Sequence, residues 1–365
     1  MRGARASTIV LSVAWAAAVG AAFVRAAAPA DDDLVAPSRL SETGLYAAGG
    51  SDAIDPRNQP FSPQYPLWSD GAAKSRWIYL PPATTIDSRD PYGWVFPVGT
   101  KFWKEFRFDG RKVETRLIWR AADTRWVFAS YHWNESQTDA DLAPAEGLRH
   151  VVEVSPGRFH SIPAVPDCAA CHGTKRPGPL GFNALQLSTD RDPNAIHGEP
   201  LAPTMATLAT LNAAGLLSPA RPELVTAPPR IQTTDPATRA LLGYFSANCG
   251  TCHNRAGEIG PDAPSLHYAD LVGDGDGVIS RLASHRTLWQ VPGQPDGASV
   301  MLDRAAPAAS AMVARMRSRR PSSQMPPIGT VVRDEKAVLA IEKWMSAATT
   351  NPPTVFPWPS LPTKP

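Results

Sequence analysis

The sequence predicts an α+β protein: an N-terminal antiparallel β domain followed by two further modules, the second of them all helical. Three observations carry this. Seven of the eleven tryptophans fall between Trp68 and Trp133, in short runs rich in aromatic and β-branched residues. Asp109-Gly110 stands between two such runs, "KFWKEFRF" and "RKVETRLIW", which is a strong hairpin signal. Two later stretches, "DPATRALLGYFSANC" and "RDEKAVLAIEKWMSA", carry helix-start signals and apolar faces.

Taken in order, residues 1–28 read as a cleaved signal peptide. Arg2 and Arg5 precede an apolar, Ala-rich run that ends in small residues. Residues 29–60 read as an extended, polar lead-in whose one cohesive piece is "SETGLY". Residues 61–165 form the β domain. In its hairpin, Phe102, Phe106 and Phe108 share one parity before the turn, and Val113, Leu117 and Trp119 share one after it. That alternation predicts a half-buried pair of strands with a polar outer face.

Residues 166–235 hold a first small module, a helix over "TMATLATLNAAGLLS" that ends near Gly215, and a linker over "RPELVTAPPRIQTTD". Residues 236–348 form the helical unit. Asp235 is its N-cap candidate, Pro236 opens its first helix, and Val338, Ile341, Trp344 and Met345 face inward from its last. "GDGDG" at residues 273–277 reads as a turn, and the Pro-rich tail 349–365 as extended.

Composition narrows the function. Residues 1–28 hold three Arg and no acid, so the chain beyond them carries a net charge of about −1, which gives no footing for nucleic-acid binding. No stretch after the leader is long and apolar enough to span a bilayer.

The four cysteines are the most informative residues. All lie in two Cys-x-x-Cys-His motifs, "CAACH" at 168–172 and "CGTCH" at 249–253. That is the attachment signature of c-type haem: two thiols for the vinyl groups and an adjacent imidazole for the iron. A zinc ribbon would set its two knuckles much closer and has no use for a His after each. A thioredoxin-like pair would sit on a βαβ unit, and neither motif does. Cys168, Cys171 and His172 are therefore expected to hold one haem, and Cys249, Cys252 and His253 a second.

An iron so held needs a further axial ligand or an open position. For the second haem, Met325 in "SSQMPPIGT" is the candidate. For the first, His197 in "PNAIHGEP" leads. Met205, His132, His150, His160, His267 and His285 stand behind it, and an open site is the alternative. The basic run "RMRSRRP" at 315–321 offers a rim for an acidic redox partner or an ordinary solvated face.

Residues 236–348 resemble class I cytochrome c, because a helix before "CGTCH", Gly260-Pro261, "MPP" and a closing helix with Trp344 follow in that order. The resemblance implies that Pro261 gives its carbonyl to His253 and that Met325 is the distal ligand. Residues 40–348 as a whole resemble exported bacterial dihaem cytochromes c with an N-terminal β domain. The expectation is a periplasmic electron carrier with two covalent haems and a protein redox partner. The alternative is a peroxidase-like haem oxidoreductase in which the first haem reacts and the second supplies electrons, although the dihaem peroxidases lack such a β domain.

Overall fold

The computed structural model describes residues 34–47, 53–173, 178–255 and 264–347. The expected leader 1–28 and the expected extended tail 349–365 lie outside them. The predicted hairpin forms from β4 (Lys101–Phe108) and β5 (Arg111–Ala122). Asp109 and Gly110 take φ of 49° and 78°, the left-handed pair that a tight hairpin turn requires.

Pairing begins with Phe108 opposite Arg111, but a bulge between Phe106 and Arg107 then shifts the register by one. Phe102 consequently pairs with Ile118, and Trp103 with Leu117. An unshifted hairpin would have put Phe102 and Leu117 on one face. The single extra residue divides them between two. Trp103 and Leu117 are buried on one side, Phe102 and Phe106 on the other. The expected polar outer face is replaced by a sheet packed on both sides.

β1 (Gln59–Pro60), β2 (Ala73–Tyr79), β6 (Arg125–Trp133) and β7 (Ala140–Leu142) complete a six-stranded antiparallel sheet in the order β1-β2-β4-β5-β6-β7. Two smaller pairings accompany it. β3 (Ile86–Asp87) runs parallel to β10 (Leu217–Ser218), and β8 (Leu148–Ser155) pairs with β9 (Arg158–Ile162).

The lead-in departs from its expected extended form. Leu40–Thr43 make a 3-10 turn, and Leu40 and Leu45 are fully buried in the core that holds Trp103, Leu117 and Tyr131. Thr43 Oγ1 accepts a hydrogen bond from the Trp103 indole at 3.0 Å. Burial of these two leucines on the second face of the sheet outweighs the polar composition of the segment.

The helices are α1 (Val165–His172), α2 (Leu208–Ala213), α3 (Glu223–Thr226), α4 (Pro236–Asn248), α5 (Tyr268–Leu271), α6 (Gly275–Ser284), α7 (Ala311–Arg317) and α8 (Glu335–Ala347). α2 gives way to Gly215 at φ 65°, as expected. The expected linker contains α3, and its Ile231 is fully buried. Asp235 caps α4, accepting from the backbone N–H groups of Ala237 and Thr238 at 3.2 and 3.0 Å.

"GDGDG" opens a helix rather than making a free turn. Asp274 caps Gly277 N–H at 2.9 Å, and Val278, Ile279 and Leu282 bury the face that follows. The Trp344 indole of α8 donates to Thr238 Oγ1 of α4 at 2.9 Å, joining the first and last helices of this unit. Its core also takes in Tyr65, Leu185 and Ile196 from earlier in the chain. No helix among the described residues is long and apolar enough to cross a membrane.

Candidate functional site

Both Cys-x-x-Cys-His motifs open onto one cavity of about 1700 Å³, walled by the sheet on one side and by the helical unit on the other. That volume is well beyond the ~300–1,000 Å³ of an ordinary small-molecule pocket.

The first motif sits on α1, directly after β9. Asp167 accepts from Ala164 N–H at 3.0 Å and so starts the helix. Positions three apart lie on one helical face, which places Cys168 and Cys171 side by side. His172 ends the helix. Its Nδ1 is 2.8 Å from the carbonyl oxygen of Gly178, and Gly178 N–H donates back to the His172 carbonyl at 2.9 Å. A carbonyl only accepts, so Nδ1 carries the proton and Nε2 keeps its lone pair. Burial pulls the His172 pKa down to about 4; the Gly178 carbonyl opposes this, and Lys104 and Arg116 add to it. The ring is therefore neutral, as a metal-ligating imidazole must be.

Gly178 has a residue-specific reason to be glycine. Its φ is +126°, and an added Cβ would lie 3.2 Å from the Trp126 ring.

The second motif follows α4 without a break. Cys249 N–H bonds the Phe245 carbonyl at 2.8 Å, and His253 N–H bonds the Cys249 carbonyl at 2.8 Å. Among the described residues, His253 Nδ1 is buried without a partner. Pro261, whose carbonyl was expected there, lies outside the described residues. Met325 lines the same cavity, and its N–H is held by the Arg315 carbonyl at 3.1 Å.

None of the four cysteines is in a disulfide. Burial pushes Cys249 up to about 12 and Cys171 up to about 11, and Cys252 adds to both. That mutual influence puts the two motifs within electrostatic reach of each other, although they are far apart in sequence. It is also the reverse of a redox dithiol, which needs a lowered thiol pKa.

The structure brings together Cys168, Cys171, His172, Cys249, Cys252, His253 and Met325, and leaves His197 elsewhere. His197 lines a separate cavity of about 510 Å³ together with Met205. Its Nε2 lies 2.9 Å from both carboxylate oxygens of Asp334, and its ring packs 4.8 Å from that of Trp68. Asp334 also caps α8 through Ala337 N–H at 3.1 Å. His197 thus fixes the start of a helix instead of facing the first motif. His132 and His150 are exposed. His267 lines the large cavity, with Nδ1 accepting from Ala269 N–H at 3.3 Å at the start of α5.

His160 is the remaining candidate on the cavity wall. It is 3 % exposed and lies between two carboxylates, with Nε2 3.1 Å from Glu114 and Nδ1 3.5 Å from Asp70. Burial lowers its pKa, but the bonds to Asp70 and Glu114 outweigh this and raise it. Burial likewise works to raise Glu114, yet Arg116 and His160 hold it at about 2. Asp70 Oδ1 accepts from Val331 and Val332 N–H at 2.8 and 3.0 Å, which ties this wall to the loop after Met325.

Sequence reasoning missed this charged wall. Its one local signal was "VETR", where Glu114 and Arg116 share a strand face. Arg315, from the basic run, lines the cavity and lies over the Trp289 ring at 5.4 Å, while Arg317 pairs with Glu342 at 2.8 Å. The run therefore faces inward in part.

The chain matches no known family, no curated protein and no solved structure.

Proposed function

We propose that the protein is an exported dihaem c-type cytochrome that passes electrons between two covalently held haems and a protein partner. The observation that carries this reading is the convergence of both Cys-x-x-Cys-His motifs on one large cavity. The residues fit the group. Cys168 and Cys171 would attach the first haem and Cys249 and Cys252 the second, with His172 and His253 as proximal ligands and Met325 as the second ligand of the latter. A haem so bound supplies one-electron exchange at its iron.

The chain's own contribution is to keep both imidazoles neutral by burial and to orient the first. Gly178 fixes the His172 tautomer through Nδ1, which leaves Nε2 for the metal. Both motifs line the same cavity, so two haems held there would share it. A thioether ligand favours the reduced state and suits a carrier. The leader at 1–28 supports a periplasmic address.

One observation favours the second reading, a haem oxidoreductase reacting at the first haem. The wall beside "CAACH" carries a buried ionisable group, His160 between Asp70 and Glu114, of the kind used in proton transfer.

Reductive titration of the purified holoprotein, followed in the visible spectrum, separates the readings. A carrier takes up two electrons per chain and does not turn over peroxide. Peroxide turnover would transfer the assignment to the oxidoreductase, and uptake of fewer than two electrons would contradict both.

A further inference from the structure

The bulge that shifts the β4–β5 register also aligns three cations. Arg76 of β2 is the cross-strand partner of Lys104 of β4, and Lys104 is the partner of Arg116 of β5. All three side chains line the large cavity. Like charges at directly opposed positions destabilise a sheet, so such a row needs compensation.

Two of the three have it. Arg76 is paired with Glu199 at 2.6 Å, and Arg116 with Glu114 at 2.5 Å. Lys104, between them, makes no hydrogen bond or ion pair among the described residues; its ammonium lies over the Phe106 ring at 4.7 Å. Glu199 is not free to serve it, because its oxygens are taken by Arg76 and Ser62. Lys104 is largely buried, and it lines the cavity. Burial, and then Lys74, Arg76 and Arg116, push its pKa well below the usual lysine range. A cation enclosed without a counter-ion is costly, and an incoming anion removes that cost.

We infer that the row Arg76–Lys104–Arg116 is an anion cradle in the cavity wall, with Lys104 as the member that has no carboxylate partner among the described residues, and that it takes a carboxylate. Two sources share that chemistry: a carboxylate side arm of the first haem, and a small soluble acid entering the cavity. The first source rests on the dihaem reading; the second does not.

The test compares full-length wild type, Lys104→Met, Lys104→Arg and the exposed control Arg149→Gln, each with its covalent haem counted separately. One arm measures the midpoint potentials of both haems. The other titrates sodium acetate by calorimetry, which does not depend on haem. If the cradle serves the haem's own carboxylate, Lys104→Met lowers one midpoint and leaves the other in place. Lys104→Arg restores it, and acetate has no effect. If the cradle serves a soluble acid, acetate binds wild type saturably, and Lys104→Met weakens it by about tenfold or more.

Three results would overturn the inference: Lys104→Met matching wild type in both arms, Arg149→Gln producing the same change as Lys104→Met, or Lys104→Met converting a low-spin haem to high spin, which would make the amine an iron ligand instead. A wild type with fewer than two haems would sink the dihaem reading, and the calorimetric arm would still decide the soluble-acid cradle.

Discussion

Gly178 holds His172 through its carbonyl, while its own φ of +126° and a Trp126 ring 3.2 Å from an added Cβ make any side chain there strained. Gly178→Ala forces the peptide to move, with a backbone cost of about 1–3 kcal/mol. The urea midpoint should fall and the His172 contact should loosen; an unchanged midpoint would contradict this role. The two Cys-x-x-Cys-His motifs stand out in the sequence because their residue types and spacing are local. Gly178 does not, because any residue can offer a carbonyl and only the fold decides which one arrives. The same limit explains His197. Its loop position made it a candidate for the first motif, but Asp334, distant in sequence, supplies its partner.

The β4–β5 hairpin was readable at its turn and misread at its faces. Asp109-Gly110 identifies the turn type, but nothing local marks the bulge at Phe106, and a shift of one residue exchanges inside for outside. That shift buries Trp103 and aligns Lys104 with Arg116. It also pairs Phe106 with Glu114, close to His160 of β9. The pH dependence of this element follows from the signs. His160 is raised above its ordinary 6.5, so its contribution is full below that pH and is lost as pH rises through the folded value. Glu114 is depressed to about 2 from 4.5, so its contribution holds above 4.5 and is lost toward acid. The stability advantage of wild type over His160→Gln, measured by urea unfolding, should therefore be largest at pH ~6 and smaller at pH ~9. An advantage that is equal at both would mean His160 is neutral in its site.

At the scale of the molecule, the sheet and the helical unit do not stand apart. Tyr65 enters the helical core, Asp70 bonds the loop at Val331 and Val332, and the two motifs line one cavity. The α+β class was legible from periodicity and turn chemistry. This convergence was not, because it depends on contacts between residues hundreds of positions apart. The central claim is that the cavity holds two covalent haems. Pyridine haemochrome analysis, with intact mass, of protein made in a host that attaches c-type haem tests it most directly. Wild type should carry two haems per chain, and Cys168→Ala/Cys171→Ala and Cys249→Ala/Cys252→Ala one each. Fewer than two on wild type, or either double variant retaining both, would contradict the account.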